Sequence, residues 1–575
     1  MKLSLLRRAG AFMGTLWLAA QPLSADARVV ATEAGQVRGV MRNGALEFRG
    51  IPYAAPPTGE QRWALPQPPA PWLGVRDADQ FGAACPQQAR YGLTEASQDE
   101  DCLTINVSVP PDLAPGERLP VFVWIHGGAF VGGSSNLYRL DRLVTRGRIV
   151  VVSMNYRLGT LGFMPHPAFE TPGQLNGNYG LEDQRAGLRW VQRNIAAFGG
   201  DASNVTIGGE SAGAGSICMH LASPEAVGGL FHRAIAMSGG CLAPLKMVDQ
   251  SEIASRTIVD SLGCRGSHDE VRRCMRSDAM SVERLLKAQS AYVEANPLDL
   301  LAFAPVTGSA ARPNSTVPRD FRSALKTDQL AAVPMMIGGA SDELRLYLGY
   351  WWQDWKSGRP NAMPVNAAGF ETWVRALYPG NPPGSQKSFA QSIIEAYMPV
   401  SGWASDRQAI ETLGSLLSDY SSFPINHCSY VSAVNAMAGH AARTRPALRI
   451  HHFEFADTNA LVNGVGIGKP YPDFTMGAVH SSILNYIFPG FSNSRRMDAP
   501  DLPPASAALA DQILGSWARF VRTGNPNGGD LPDWPAYTSP GGKTLRFAPG
   551  QTALHDAAVT HRCGFWRGIF PDKLN

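Results

Sequence analysis

The stretch Val205-Thr-Ile-Gly-Gly-Glu-Ser-Ala-Gly-Ala-Gly-Ser-Ile-Cys-Met-His-Leu221 decides the fold. Val205 to Gly208 reads as a strand, and Ala212 to Leu221 as a helix. Between them lies Gly209-Glu210-Ser211-Ala212-Gly213, a G-x-S-x-G turn. A serine lifted above a sheet on so tight a turn needs neighbours two positions away that lack side-chain bulk. The helix start brings the Ala212 N–H and a positive dipole end to the place where an oxyanion would develop. Ser211 is therefore a candidate nucleophile. Taken alone, the pentapeptide also fits an ordinary Gly-rich turn, so its surroundings must decide.

Leu119-Pro-Val-Phe-Val-Trp-Ile125 and Arg148-Ile-Val-Val-Val-Ser-Met154 are apolar on both faces, as strands of a doubly covered sheet are. Leu181 to Ala197 carries apolar residues at helical spacing around Trp190 and Val191. Such alternation predicts an α/β fold, a mostly parallel central sheet with helices on both faces. The segment from about Cys264 to Arg443 is mixed and more helical, and reads as insertions around the core. His126-Gly-Gly-Ala-Phe130 follows the strand at Leu119. Small residues there let backbone N–H groups approach a carbonyl oxygen.

A serine nucleophile needs a base and a group that orients it. Val333-Pro-Met-Met-Ile-Gly-Gly339 is a further strand that runs into Ala340-Ser-Asp-Glu343, and a carboxylate at a strand's carboxyl end suits ligand chemistry. Gly477-Ala-Val-His-Ser-Ser482 places a histidine among small residues. Position alone does not choose among the histidines after residue 200. A surface acid and a satisfied loop histidine remain open readings of Glu343 and His480.

Composition removes other classes. Of 575 residues, 44% are hydrophobic and 17% charged, which argues against disorder. Lys+Arg of 51 against Asp+Glu of 48 lacks the basic excess of a nucleic-acid binder. Met1-Lys-Leu-Ser-Leu-Leu-Arg-Arg8, the apolar run Ala9–Ala20 and the exit Ala25-Asp-Ala27 have the three parts of an export signal over 1–27. The run is short of the roughly 20 residues that span a bilayer, and no later stretch is long and apolar enough. Export, to the periplasm or beyond the cell, makes disulfides expected among the eight cysteines. Many pairings are compatible with sequence alone.

Taken together the chain resembles the type-B carboxylesterase/cholinesterase family, with the look of its bacterial para-nitrobenzyl-esterase-like members. The resemblance runs from Phe48-Arg-Gly-Ile-Pro-Tyr-Ala-Ala-Pro-Pro57 through Glu100-Asp-Cys-Leu-Thr-Ile-Asn106 and Asn155-Tyr-Arg157 to Thr523-Gly-Asn-Pro-Asn527 and Cys563-Gly-Phe-Trp566. It implies the α/β-hydrolase fold as one domain over 28–575, where length by itself suggests about four. It implies a serine esterase acting on a small-molecule ester, with no metal and no cofactor. Ser211 matches the nucleophile, Glu343 rather than Asp342 the acid, and His480 the base. Gly128, Ala129 and Ala212 match the oxyanion donors. Cys85–Cys102, Cys264–Cys274 and Cys428–Cys563 match the disulfides, which leaves Cys218 and Cys241 as buried thiols or a fourth bridge. Arg62 with Glu100, and Arg157 with Asp183, match structural ion pairs. Tyr347 and Trp351, in an aromatic-rich segment after Glu343, are candidates for the substrate pocket or for core packing.

Departures bear on substrate. The loop between Cys85 and Cys102 holds no tryptophan, and Tyr91 is its only aromatic residue. The choline site that a cholinesterase builds there is not expected. An amide or carbamate hydrolase and a lipase are alternatives on the same machinery, and a non-catalytic adhesion protein is the alternative of another class. Oligomeric state stays open.

Overall fold

The computed structural model describes residues 28–574 except 90–91, 94, 171–176, 243–245, 297–298, 300 and 309–315, and 466–469. The expected export signal and Tyr91 lie outside the described residues. Among the described residues the main sheet holds eleven strands: β1 Val40–Arg42, β2 Ala45–Pro52, β3 Thr104–Val109, β4 Leu119–Ile125, β5 Val150–Met154, β6 Gly200–Glu210, β7 Arg233–Met237, β8 Met335–Ala340, β9 Ile450–Phe455, β10 Thr544–Phe547 and β11 Ala553–His555. Their spatial order is β11-β10-β9-β8-β7-β6-β4-β5-β3-β2-β1. The strands from β5 to β10 across the middle pair in parallel, and the antiparallel pairs lie toward the two edges.

The side-chain period of two divides β4 between two cores. Val121, Val123 and Ile125 join the apolar cluster on one face. Phe122 and Trp124 join that on the other. Helices α1 Tyr179–Asn194 and α2 Ala212–Leu221 cover the first face through Leu188, Trp190, Val191 and Ile217. Further helices follow in the chain: α3 Arg345–Lys356, α4 Asp406–Asp419, α5 His427–Thr444 and α6 Pro504–Thr523. Helix α6 covers the second face with Leu509, Ile513, Trp517 and Phe520, starting beside Pro503 and stopping at Gly524 in the left-handed region. A third cluster joins α3, α4 and the start of α5 to residues near the C-terminus, including Trp566.

All four disulfides close: Cys85–Cys102, Cys264–Cys274, Cys428–Cys563 and also Cys218–Cys241. The last ties α2 to the turn after β7, so the leftover pair is a bridge rather than two thiols. Both ion pairs form. Arg157 and Asp183 meet through two 2.8 Å contacts, and Arg62 and Glu100 through contacts of 2.7 and 2.6 Å.

Candidate functional site

Order along the chain and order in space diverge at β4. The chain leaves β4 for β5 on one side and returns to β6 on the other. In open α/β sheets the crevice at such a switch point, at the strands' carboxyl ends, is where ligands bind. Here the two strand ends carry His126-Gly-Gly-Ala129 and Glu210-Ser211.

Ser211 occupies the left-handed region at φ 57°, ψ −121°, between β6 and α2. Two backbone bonds hold it there, its N–H to the Met237 carbonyl and its carbonyl from the Gly215 N–H, both at 2.9 Å. The flanking glycines are sterically required. A Cβ on Gly213 would stand 2.1 Å from the Ile125 oxygen, and one on Gly209 2.7 Å from the Gly213 carbonyl carbon. Gly127 is equally confined, because a Cβ there would meet the Ser211 Cβ at 3.0 Å.

Gly128 and Ala129 both have positive φ, 118° and 54°. Among the described residues neither backbone N–H finds an acceptor. The Ala212 N–H begins α2 and is one of the donors a helix start leaves unused. All three flank Ser211 at one end of the sheet, which suits them to a developing negative charge. Gln87 braces the glycine loop, accepting from the Gly133 N–H and donating to its carbonyl, both at 2.8 Å.

His480 Nδ1 donates to Glu343 Oε2 at 2.8 Å. Glu343 is fully buried just beyond β8, and its Oε1 accepts from the Ala340 N–H and the Tyr430 hydroxyl, each at 3.0 Å. Asp342 faces elsewhere, pairing with Arg345 at 3.1 Å and accepting from the Ala478 N–H. The other nitrogen of His480, Nε2, lies 3.3 Å from Glu210 Oε1. Glu210 in turn accepts from the Ser481 hydroxyl at 2.8 Å.

These groups perturb one another. Burial pulls the His480 imidazole down, but the charges of Glu210 and Glu343 outweigh it and raise it to about 8. Burial pushes Glu210 up to about 7 against the pull of His480. Burial also opposes ionisation of Glu343, yet the hydrogen bond and charge of His480 hold it below the usual carboxylate range. His480 thus has a carboxyl group at each ring nitrogen, Glu343 at Nδ1 and Glu210 at Nε2.

Ser211, His480, Gly128, Ala129 and Glu210 all border one cavity. Tyr347 borders it too, its ring 6.0 Å from that of His480. Trp351 does not. It stacks on Trp373 at 4.6 Å within the cluster behind the cavity wall. Glu210 and Tyr430 were not visible as site residues in sequence. Glu210 occupies the variable position of the motif, and Tyr430 comes from a helix 87 residues beyond its partner.

A second polar cluster is buried near Glu343. His427, Glu454 and His561 bring ligand-type atoms within 4.8 Å of one another. The rings of His427 and His561 stack face to face, 3.7 Å apart at 3°. A metal lies in the plane of the imidazole that binds it, so this stack gives no point shared by both rings. His561 also has both nitrogens engaged, by Asp419 at 2.8 Å and Glu454 at 3.0 Å. Those carboxylates overcome burial and raise His561 to about 9, while burial and the neighbouring charge lower His427 to about 4. A neutral ring rests on a cationic one.

The model of the carboxylesterase family matches residues 26–566. Para-nitrobenzyl esterase of Bacillus subtilis is 32% identical, over 95% of this chain and 99% of that protein. Pyrethroid hydrolase Ces2a of Mus musculus is 30% identical, over 94% and 91%. Among solved structures, a thermophilic PNB esterase superposes with a TM-score of 0.72 at 28% identity, covering 94% of this chain and 99% of the other.

Proposed function

Because the chain belongs to the carboxylesterase family and is a carboxylic ester hydrolase, we propose that it cleaves esters through Ser211, His480 and Glu343. His480 Nε2 takes the proton of Ser211 Oγ as the oxygen attacks the ester carbonyl carbon. The N–H groups of Gly128, Ala129 and Ala212 receive the oxyanion, and donors of this type contribute about 10²–10³ each in kcat. The alcohol leaves with the proton from His480, and an acyl group stays on Ser211. Water then attacks the acyl carbon, giving a proton to His480, which returns it to Ser211 Oγ as the acyl–oxygen bond breaks and the acid departs. Glu343 keeps Nδ1 protonated and stabilises the imidazolium. No step calls for a metal or an organic cofactor.

The observation that carries this reading is the Glu343–His480 pair, with Ser211 on the same cavity at the sheet's switch point. Residues 28–575 act as one α/β-hydrolase unit in this reading, exported and freed of residues 1–27. Four disulfides fit an oxidising compartment. The test is hydrolysis of short p-nitrophenyl esters beside a carbamate and a long-chain lipid. Ser211→Ala should lower kcat by roughly 10⁴-fold or more. Undiminished turnover in that variant would refute the assignment.

A further inference from the structure

Glu343 is held by more than its histidine. Oε1, the oxygen that His480 leaves unused, accepts from the Ala340 N–H and from the Tyr430 hydroxyl. Tyr430 is fully buried on the first turn of α5, three residues after His427. His427 Nε2 donates to the Ala340 carbonyl at 2.8 Å. One helical turn therefore grips the end of β8 twice, once at the carboxylate and once on the main chain beside it. Gly339 leaves the room. A Cβ there would lie 2.2 Å from Glu343 Oε1 and 2.5 Å from the Tyr430 ring.

That turn is itself anchored. Cys428 is bonded to Cys563, and the neutral His427 ring lies flat on cationic His561. Burial keeps the Tyr430 hydroxyl far above the ordinary phenol range, so it serves as a donor and not as a charge.

The terminal torsion of a glutamate is broad and has no sharp rotamer of its own. Without the Tyr430 hydroxyl the carboxylate would keep the Ala340 N–H and the nearby Ser238 hydroxyl but lose the donor that reaches it from α5, and its alignment with Nδ1 would loosen. We propose that Tyr430, seated beside His427 on one turn of α5, is a positioning residue that fixes the rotation of the Glu343 carboxylate so that Oε2 faces His480. This rests on Glu343 being the triad acid.

Tyr430→Phe keeps the ring and removes one hydroxyl. Rates are taken on a p-nitrophenyl ester and counted per serine titrated with an organophosphate, so that misfolded chains drop out. The expected result is a kcat about tenfold lower with KM within twofold. A cycle with Glu343→Gln then locates the effect. Glu343→Gln alone should lower kcat by about 10³-fold or more, and Tyr430→Phe should add nothing in that background. An equal loss in both backgrounds, an unchanged kcat, a KM effect alone, or a variant with no titratable serine makes Tyr430 a packing residue and overturns the proposal. If Glu343→Gln itself leaves kcat intact, the triad reading falls instead.

Discussion

Glu343 and His480 meet twice: Oε2 accepts from Nδ1 at 2.8 Å, and the Glu343 main-chain carbonyl accepts from the His480 N–H at 3.2 Å. The ring and the backbone of the histidine take their bearings from the same residue. Glu343→Asp separates the two contacts, since the main-chain bond persists while the carboxylate falls short by one methylene. The variant is expected to fold and to lose about 10²-fold in kcat with little change in KM, as read by steady-state kinetics.

In the proposed mechanism the Glu210 carboxylate, 3.3 Å from His480 Nε2, sets the acid limb of the rate. Ester attack needs a neutral imidazole. Burial lowers His480, and the charge of Glu210 is the first of the influences that raise it. Glu210→Gln removes that charge, destabilises the imidazolium and lowers the pH at which the base becomes free. The acid limb of kcat/KM should move down by about one pH unit. A limb that stays in place or moves up contradicts the coupling.

Gly213 has no room for a methyl group, since a Cβ would stand 2.1 Å from the Ile125 oxygen. Relief requires the Ser211 turn and the end of β4 to separate. Gly213→Ala should cost about 3 kcal/mol or more and abolish turnover, observable as a lowered Tm together with loss of organophosphate labelling.

Asp183 is fully buried and receives the Arg157 guanidinium and the Arg157 N–H. Asp183→Asn would strand the arginine charge inside the fold, at a cost of about 3–5 kcal/mol. Denaturant melts should show the loss, while kcat per titrated serine stays within a few-fold of the parent.

His561 makes stability sensitive to alkali. Burial lowers this imidazole, but Asp419 and Glu454 raise it in the fold to about 9, from about 6.5 when unfolded. A raised group contributes fully below its unfolded value and loses that contribution as pH climbs through its folded value. Unfolding free energy should therefore decline between about pH 6.5 and 9. His561→Gln should flatten that decline in melts taken across the range.

Much of the frame is readable locally. The strand Leu119–Ile125 and the helix Ala212–Leu221 have their expected bounds, because unbroken apolar runs and a glycine-marked turn leave little choice. Strand β6 begins at Gly200, earlier than Val205, since Leu119 pairs with Gly200 and extends the ladder through polar residues that carry no strand pattern. The helix expected from Leu181 to Ala197 turns 3₁₀ at Ile195 and stops before Gly199. What surrounds the acid is not local. Tyr430 and His427 reach residues near Glu343 across 87 positions, and Ser481 reaches Glu210 across 271. Nothing in the spacing of a helix announces that one of its tyrosines ends on a distant carboxylate. Only family resemblance favours Glu343 over Asp342 in the sequence, and the geometry gives each a different neighbour, His480 and Arg345. Cys218 and Cys241 were undecidable for the same reason, as their closeness depends on how α2 packs beside β7.

The stack of His427 on His561 also makes the setting of Glu343 a matter of long-range closure. The residues that seat the first turn of α5, His561 and Cys563, lie more than 130 positions beyond that turn and reach it through one ring stack and one disulfide. The surroundings of Glu343 are therefore complete only when that distant segment has folded back onto α5, and a fold in which it has not closed would hold Ser211 on its turn without a fixed Glu343.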